Sequence, residues 1–228
     1  MPRPDLGHLV TEDDTPVDNP FQDLQQDLLR AGLSEWRAPS AAGKHVALTN
    51  VGLFGGIRQT AIVPDFLLSL DVELPPDRGI KEDRAYYIWE YGKAPDLVVE
   101  VVSNTEGEEE TTKLRDYARL GIPYYLIYDR HGFLSQENIR LFELGPARRY
   151  RRRKSLWVPM LNLGFTTWEG VFGGLVGCYL RLCDEHGILL PTGDERAQRE
   201  TARADQERAR ADRLREKLLT LGIDPDGP

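Results

Sequence analysis

"APDLVVEVVSNTEGEEETTKLRDYARLGIPYYLIYD" (residues 94–129) decides the fold. Leu97, Val98, Val99, Val101 and Val102 form a near-continuous apolar run, the pattern of a strand covered on both faces. The loop "SNTEG" (103–107) leads to a helix expected from about Glu108 to Leu120, capped by Gly121. "PYYLIYD" (123–129) reads as a second strand. Strand, helix and strand at these lengths make a crossover unit, which implies parallel pairing and a helix laid on the sheet. One residue is out of keeping. Glu100 sits inside the apolar run, where a carboxylate costs several kcal/mol unless it is paired, protonated or bound to a metal.

Upstream of this unit, Asn19 as N-cap, Pro20 at the first helical position and Gly32 past the end bracket a helix. Phe21, Leu24 and Leu28 form its apolar stripe, and Gln25 falls on the same stripe. Residues 44–72 read as a strand meander around Gly55–Gly56, interrupted at Pro64–Asp65, where proline marks a strand start, an edge or a bulge. Residues 75–94 read as a loop with one helical turn around Tyr86–Trp89. Downstream, "NIRLFELGPARRYRRR" (138–153) is a hairpin turning at Gly145–Pro146, and "GVFGGLVGCYLRLCDEHG" (170–187) is expected to be helical. The tail "RAQRETARADQERARADRLREKL" (196–218) sets Ala197, Ala204, Ala211 and Leu218 seven residues apart. Alanine makes a weak seam, so this is either a solvent-exposed charged helix or a dimeric coiled coil. The expected organisation is an arm over 1–18, a domain over 19–190 and a charged helical tail over 191–228.

The 228 residues are 40% hydrophobic, enough for an ordinary core and too many for general disorder. No apolar run approaches the roughly 18 residues that span a bilayer. The first twenty residues also lack the apolar stretch of a signal peptide, so a cytoplasmic protein with no membrane partner is expected. Cys178 and Cys183 fit no redox or zinc spacing and are expected to be buried thiols. The four histidines are scattered, so any metal would be held by oxygens. A net charge of −8 argues against a general nucleic-acid coat, but not against a local contact. "ARRYRRRK" (147–154) packs six cations around Tyr150, as a solvated hairpin strand or as a phosphate-binding patch.

Strand geometry limits which acids can act with Glu100. Asp96 shares its face but lies about 13 Å away at roughly 3.3 Å per residue, too far to share an ion. A neighbouring strand, about 4.8 Å across, is near enough, and Asp65 is the candidate there. Two such carboxylates suit magnesium, which keeps several waters and takes few protein ligands. Lys113, at the flank of the helix's sheet-facing stripe of Leu114, Tyr117, Ala118 and Gly121, either reaches back toward Glu100 or snorkels to solvent. Glu108 to Glu110 are explained as acids complementing the helix dipole.

The order "PD" (64–65), "PDLVVEVVS" (95–103), "KLRDYARLGIPYYLIYD" (113–129) and "WEG…YLRLCDEHGILLPTG…E" (168–195) resembles the Uma-two family of restriction endonucleases, a branch of the PD-(D/E)XK nuclease superfamily. The resemblance runs from about residue 17 to the charged C-terminal helix. It implies an α/β fold: a restriction-endonuclease-like mixed β-sheet core flanked by helices, followed by that helix. It also implies hydrolysis of DNA phosphodiester bonds with magnesium or manganese, Asp65 and Glu100 holding the metal. The superfamily's motif lysine falls at Val102 here, and the resemblance implies that Lys113 has taken its role. Gln25 stands where the first helix usually offers a glutamate, and with Tyr117 it would support the site. Arg149, Arg151 and Arg153 would contact DNA, and a homodimer is expected. The rival reading is a non-catalytic module that keeps the fold and binds DNA or protein partners; Glu100 argues against it, since mere binding has no need of an acid inside an apolar strand.

Overall fold

The computed structural model describes residues 20–34, 36–39, 43–74, 84–103 and 108–221; the expected arm and the Asn19 cap lie outside the described residues. Along the chain run α1 (Pro20–Ala31), β1 (His45–Thr49), β2 (Leu53–Phe54), β3 (Phe66–Leu70), β4 (Tyr86–Tyr87), α2 (Ile88–Tyr91) and β5 (Leu97–Val101). A 3-10 turn, Glu108–Glu110, precedes α3 (Thr112–Leu120). There follow β6 (Tyr124–Tyr128), β7 (Ile139–Leu144), β8 (Tyr150–Arg152), β9 (Trp157–Val158), β10 (Leu163–Phe172), β11 (Leu175–Cys183) and α4 (Gly193–Thr220). The chain divides after Leu190 into two compact units.

The first unit is built on a six-stranded sheet of order β1-β3-β5-β6-β7-β8. Within this sheet β5 and β6 pair in parallel and the other neighbours pair antiparallel; β2 and β4 form a separate parallel pair. The crossover helix α3 supplies that parallel pair and ends at Gly121, whose φ of 82° is a left-handed conformation glycine adopts without strain. Both faces of β5 are covered. Leu97, Val99 and Val101 join a core with Phe66, Leu68, Leu29 of α1, and Phe165, Leu180 and Leu182 of the second sheet. Val98 and Val102 join another with Tyr117, Ile122, Tyr125 and Ile127 on the α3 side. Each such side chain contributes about 1.5–3 kcal/mol on burial, so the near-unbroken apolar run is what a doubly covered strand requires. Glu100 points to the α3 side and is 1% exposed.

The second sheet has the order β11-β10-β9, and the segment 170–187 expected as a helix is most of a hairpin within it. β10 and β11 pair from Gly164↔Cys183 to Phe172↔Leu175, leaving Gly173 and Gly174 as a two-residue turn with φ of 57° and 82°. That turn needs positive φ at both central positions, which a glycine pair supplies. The apolar residues that suggest a helix instead follow a gradient along the hairpin, from an exposed tip at Leu175 and Val176 to a buried base at Tyr179–Cys183. Cys183 is accordingly a buried strand residue and Cys178 a half-buried one.

In the second unit, Thr192 and Glu195 form a reciprocal capping box that starts α4, a 28-residue helix with no buried residue. Among the described residues no helix is long and apolar enough to cross a membrane.

Candidate active site

Asp65 lies one residue before β3. The register Phe66↔Val99 and Leu67↔Val98, continued by one step, sets it across from Glu100. Pro64 has no N–H to extend the ladder, so the strand stops there. The side chain of Asp65 takes over: its Oδ2 accepts the Val101 N–H at 2.6 Å. Its Oδ1 accepts from Gln26 Nε2 at 3.2 Å, and the same amide nitrogen reaches Asn50 Oδ1 at 3.0 Å. Asn50 follows β1 in a left-handed conformation, φ 50°.

From α3, Lys113 and Tyr117 reach down on Glu100, four residues apart and therefore on one helix face. Lys113 Nζ donates to Glu100 Oε2 at 2.9 Å, and the Tyr117 hydroxyl donates to Oε1. The lysine side chain is 27% exposed, so the pair joins a buried acid to an amine within reach of solvent.

The electrostatics of this group are unbalanced. Burial raises Asp65 above the ordinary carboxyl range, although the Val101 N–H and Lys113 pull the other way. Burial, then the charge of Asp65, push Glu100 up to about 8 against the opposing pull of Lys113 and Tyr117. Burial pulls the Lys113 ammonium down, yet the carboxylates of Glu100 and Asp65 outweigh it and leave the amine above its usual value. The two acids thus oppose each other's ionisation, and near neutral pH Glu100 keeps a proton. Two facing acids that cannot both ionise are a place where added positive charge is stabilising.

The acids before α3 do more than face a helix dipole. Glu110 pairs with Arg140, a β7 residue 2% exposed, and the Tyr125 hydroxyl donates to the Glu109 carbonyl at 2.9 Å. Held from both sides, this turn presents Glu109 to the site: Oε1 is 3.8 Å from Lys113 Nζ, and Oε2 is buried with no hydrogen-bond partner among the described residues. Arg140 also faces Asp129 Oδ2 at 3.6 Å.

Asp65, Glu100, Lys113 and Tyr117 are therefore brought together. Gln25 is not among them. α1 covers the edge strand β11, and Gln25 closes that edge by donating to the Leu180 carbonyl at 2.9 Å and accepting its N–H at 2.8 Å. The glutamine beside Asp65 is its neighbour Gln26. Asp96 stays away from the site as expected, accepting the Leu70 N–H at 2.7 Å and Lys93 at 2.6 Å. Val102 is buried in the apolar core on the Glu100 side. Of the hairpin arginines, Arg149 and Arg151 are exposed, whereas Arg153 is engaged by Glu143 at 2.6 Å and by the Trp157 carbonyl at 3.2 Å. Arg148 donates to the Arg119 carbonyl at the C-terminal end of α3, so the hairpin turn lies at the opposite end of that helix from Lys113.

Three residues at the site escape a reading of the sequence alone. Gln26 adjoins the residue the stripe selects, and one helical step of about 100° separates them. Glu109 had a signal in its four-residue spacing from Lys113. Asn50 had none. Among the described residues no three Asp, Glu, His or Cys side chains close into a cage for a metal ion; the acids that face each other are a pair. Compared with known proteins, residues 7–171 match the profile of Uma2, whose description reads "Putative restriction endonuclease". No curated protein and no solved structure matches the chain.

Proposed function

The chain belongs to the Uma2 family, and on that premise we propose that it is an endonuclease that hydrolyses DNA phosphodiester bonds with magnesium, or manganese in its place. One observation carries the reading: Glu100 is buried inside an apolar strand, opposite a second acid and under a lysine, an arrangement with no structural necessity. The donor set fits the ion. Magnesium takes one or two carboxylates and keeps several waters, and Asp65 with Glu100 offers two hard-oxygen groups and no soft donor. When bound, the ion supplies Lewis acidity to the phosphoryl oxygen and lowers the pKa of the attacking water. The chain's own residues do the rest. The Val101 N–H fixes one oxygen of Asp65, and the Tyr117 hydroxyl fixes one of Glu100. The Lys113 ammonium orients the attacking water or offsets charge on the phosphorane. The exposed Arg149 and Arg151 of the hairpin are offered to DNA phosphates, and the seam Ala197, Ala204, Ala211 and Leu218 is the proposed contact of a homodimer.

A second reading, a nuclease-fold module that binds without cutting, is favoured by one feature: α1 offers Asp65 an amide, Gln26, where a carboxylate would strengthen the ion's hold. Calorimetry with magnesium and a plasmid-nicking assay separate the two. The nuclease reading expects magnesium binding and magnesium-dependent nicking in the wild type, both lost in Asp65→Ala and Glu100→Gln. Wild-type protein that binds DNA but neither takes up magnesium nor nicks would establish the binding module.

A further inference from the structure

Lys113 Nζ sits 2.9 Å from Glu100 Oε2, on an oxygen of the acid pair itself. Resting on the nuclease reading, a divalent cation held by Asp65 and Glu100 needs oxygens on that same pair, and magnesium lies only about 2.1 Å from its ligands. An ammonium hydrogen-bonded to one of those oxygens would then face two further positive charges at very short range, beside an acid that is itself buried. The amine needs another acceptor. Among the described residues, the only other acid within ion-pair distance of it is Glu109, at 3.8 Å.

Glu109 is made ready for that role. Among the described residues its buried Oε2 has no hydrogen-bond partner, and its Oε1 lies 3.8 Å from Lys113. A buried carboxylate left so poorly satisfied is unfavourable and gains from any donor that arrives. The backbone that carries it is fixed: the Tyr125 hydroxyl holds its carbonyl, and Arg140 holds the neighbouring Glu110. Lysine suits the shuttling partner, because its ammonium is a compact charge on a flexible stem. We infer that Glu109 is the acceptor that receives the Lys113 amine when a divalent cation occupies the Asp65–Glu100 pair, and that it thereby positions this amine for the reaction. Glu109 is a positioning residue in this scheme; it touches neither substrate nor ion. Its partner stays near the reacting phosphate instead of being expelled to solvent.

The test uses the full chain and magnesium alone, then magnesium with plasmid DNA. The ammonium resonance of Lys113, assigned by its absence in Lys113→Ala, is followed by nitrogen–proton correlation NMR, in which lysine ammonium groups are seen only when held by an acceptor. In the wild type it shifts and persists as magnesium saturates the protein. In Glu109→Gln it is present without magnesium, through Glu100, and vanishes when magnesium is added. The same variant keeps the wild-type dissociation constant for magnesium by calorimetry, while kcat falls on the order of 10²-fold, the cost of misplacing one reacting group. Glu109→Asp recovers part of kcat. A Lys113 resonance that survives magnesium in Glu109→Gln overturns the inference, as does an unchanged kcat. A large loss of magnesium affinity in that variant overturns it too, by making Glu109 a ligand. Absence of magnesium binding in the wild type removes the nuclease reading and this inference together; failures of the inference alone appear only in the variant.

Discussion

Two carboxyl groups are buried at the ends of neighbouring strands, and they are treated in opposite ways. Asp129, just past β6, is 0% exposed and accepts backbone N–H groups from Phe133 at 2.9 Å, Leu134 at 2.7 Å and Ser135 at 3.2 Å, with Arg140 beside it. Glu100, in β5, is 1% exposed and receives two side-chain donors, a phenol and an amine, with Asp65 set against it. The first acid is ringed by fixed donors and faces a planar, rigid cation. The second is held by a cation on a flexible stem and opposed by another acid, so the two cannot both ionise. Burial by itself does not mark a functional acid; burial with charge left unbalanced does.

The sharpest way to break the comparison is to remove charged members of each cluster. Lys113→Ala should lower turnover about 10²–10³-fold while magnesium affinity holds, because lysine is not a ligand. Adding Val102→Lys, which restores the strand lysine beside Glu100, should return part of the activity in the same assay. Stability should respond in the opposite sense at the two acids. Asp129→Ala leaves three N–H groups unpaired and Arg140 with Glu110 alone, and should cost about 3–5 kcal/mol, lowering Tm on the order of 10 °C in calorimetry. Glu100→Gln relieves repulsion, and in metal-free protein its Tm should hold or rise.

A pH series sharpens the contrast further. Between the ordinary carboxyl value of 4.5 and about 8, folded Glu100 keeps its proton while the unfolded chain releases it. The unfolded state binds fewer protons there, so metal-free stability should fall as pH rises through that window. The raised Asp65 adds to the same slope at the acidic end, and the raised Lys113 acts only at higher pH. Melting curves of Glu100→Gln should be flatter across the window; an equal slope would mean that the buried proton resides elsewhere. The smallest effect belongs to the hairpin. Neutralising Arg149 and Arg151, which are exposed, should leave Tm nearly unchanged and flatten the salt dependence of DNA binding by up to about two units of slope.

The crossover unit was legible because its two signals agree: a strand apolar on both faces and a helix stripe ending at Gly121. The acid pair was legible because Glu100 violates its own strand and Pro64 fixes where β3 begins. The glutamine was misassigned for a physical reason. Gln25 is on the buried stripe, but the buried partner of that stripe is a strand edge hungry for an amide, and only tertiary packing distinguishes an edge from a site. The β10–β11 hairpin was misread because apolar residues spaced by three and four satisfy a helix count as well as a twisted, half-buried ribbon; the glycine pair was the better signal. Glu109 stayed hidden behind the general preference of acids for helix starts, a bland explanation that fits Glu108 to Glu110 alike and ranks none of them.

The hydrogen bond from Val101 to Asp65 gives the molecule an internal gauge. This amide proton lies in the sheet, yet its acceptor is a side-chain oxygen whose electron density changes whenever Asp65 gains a proton or a cation. Its chemical shift should therefore move with the state of the site while the amides of Leu97 and Val99, on the same strand, stay still. Occupancy could be followed at one backbone position, in the native chain, without a label near the chemistry.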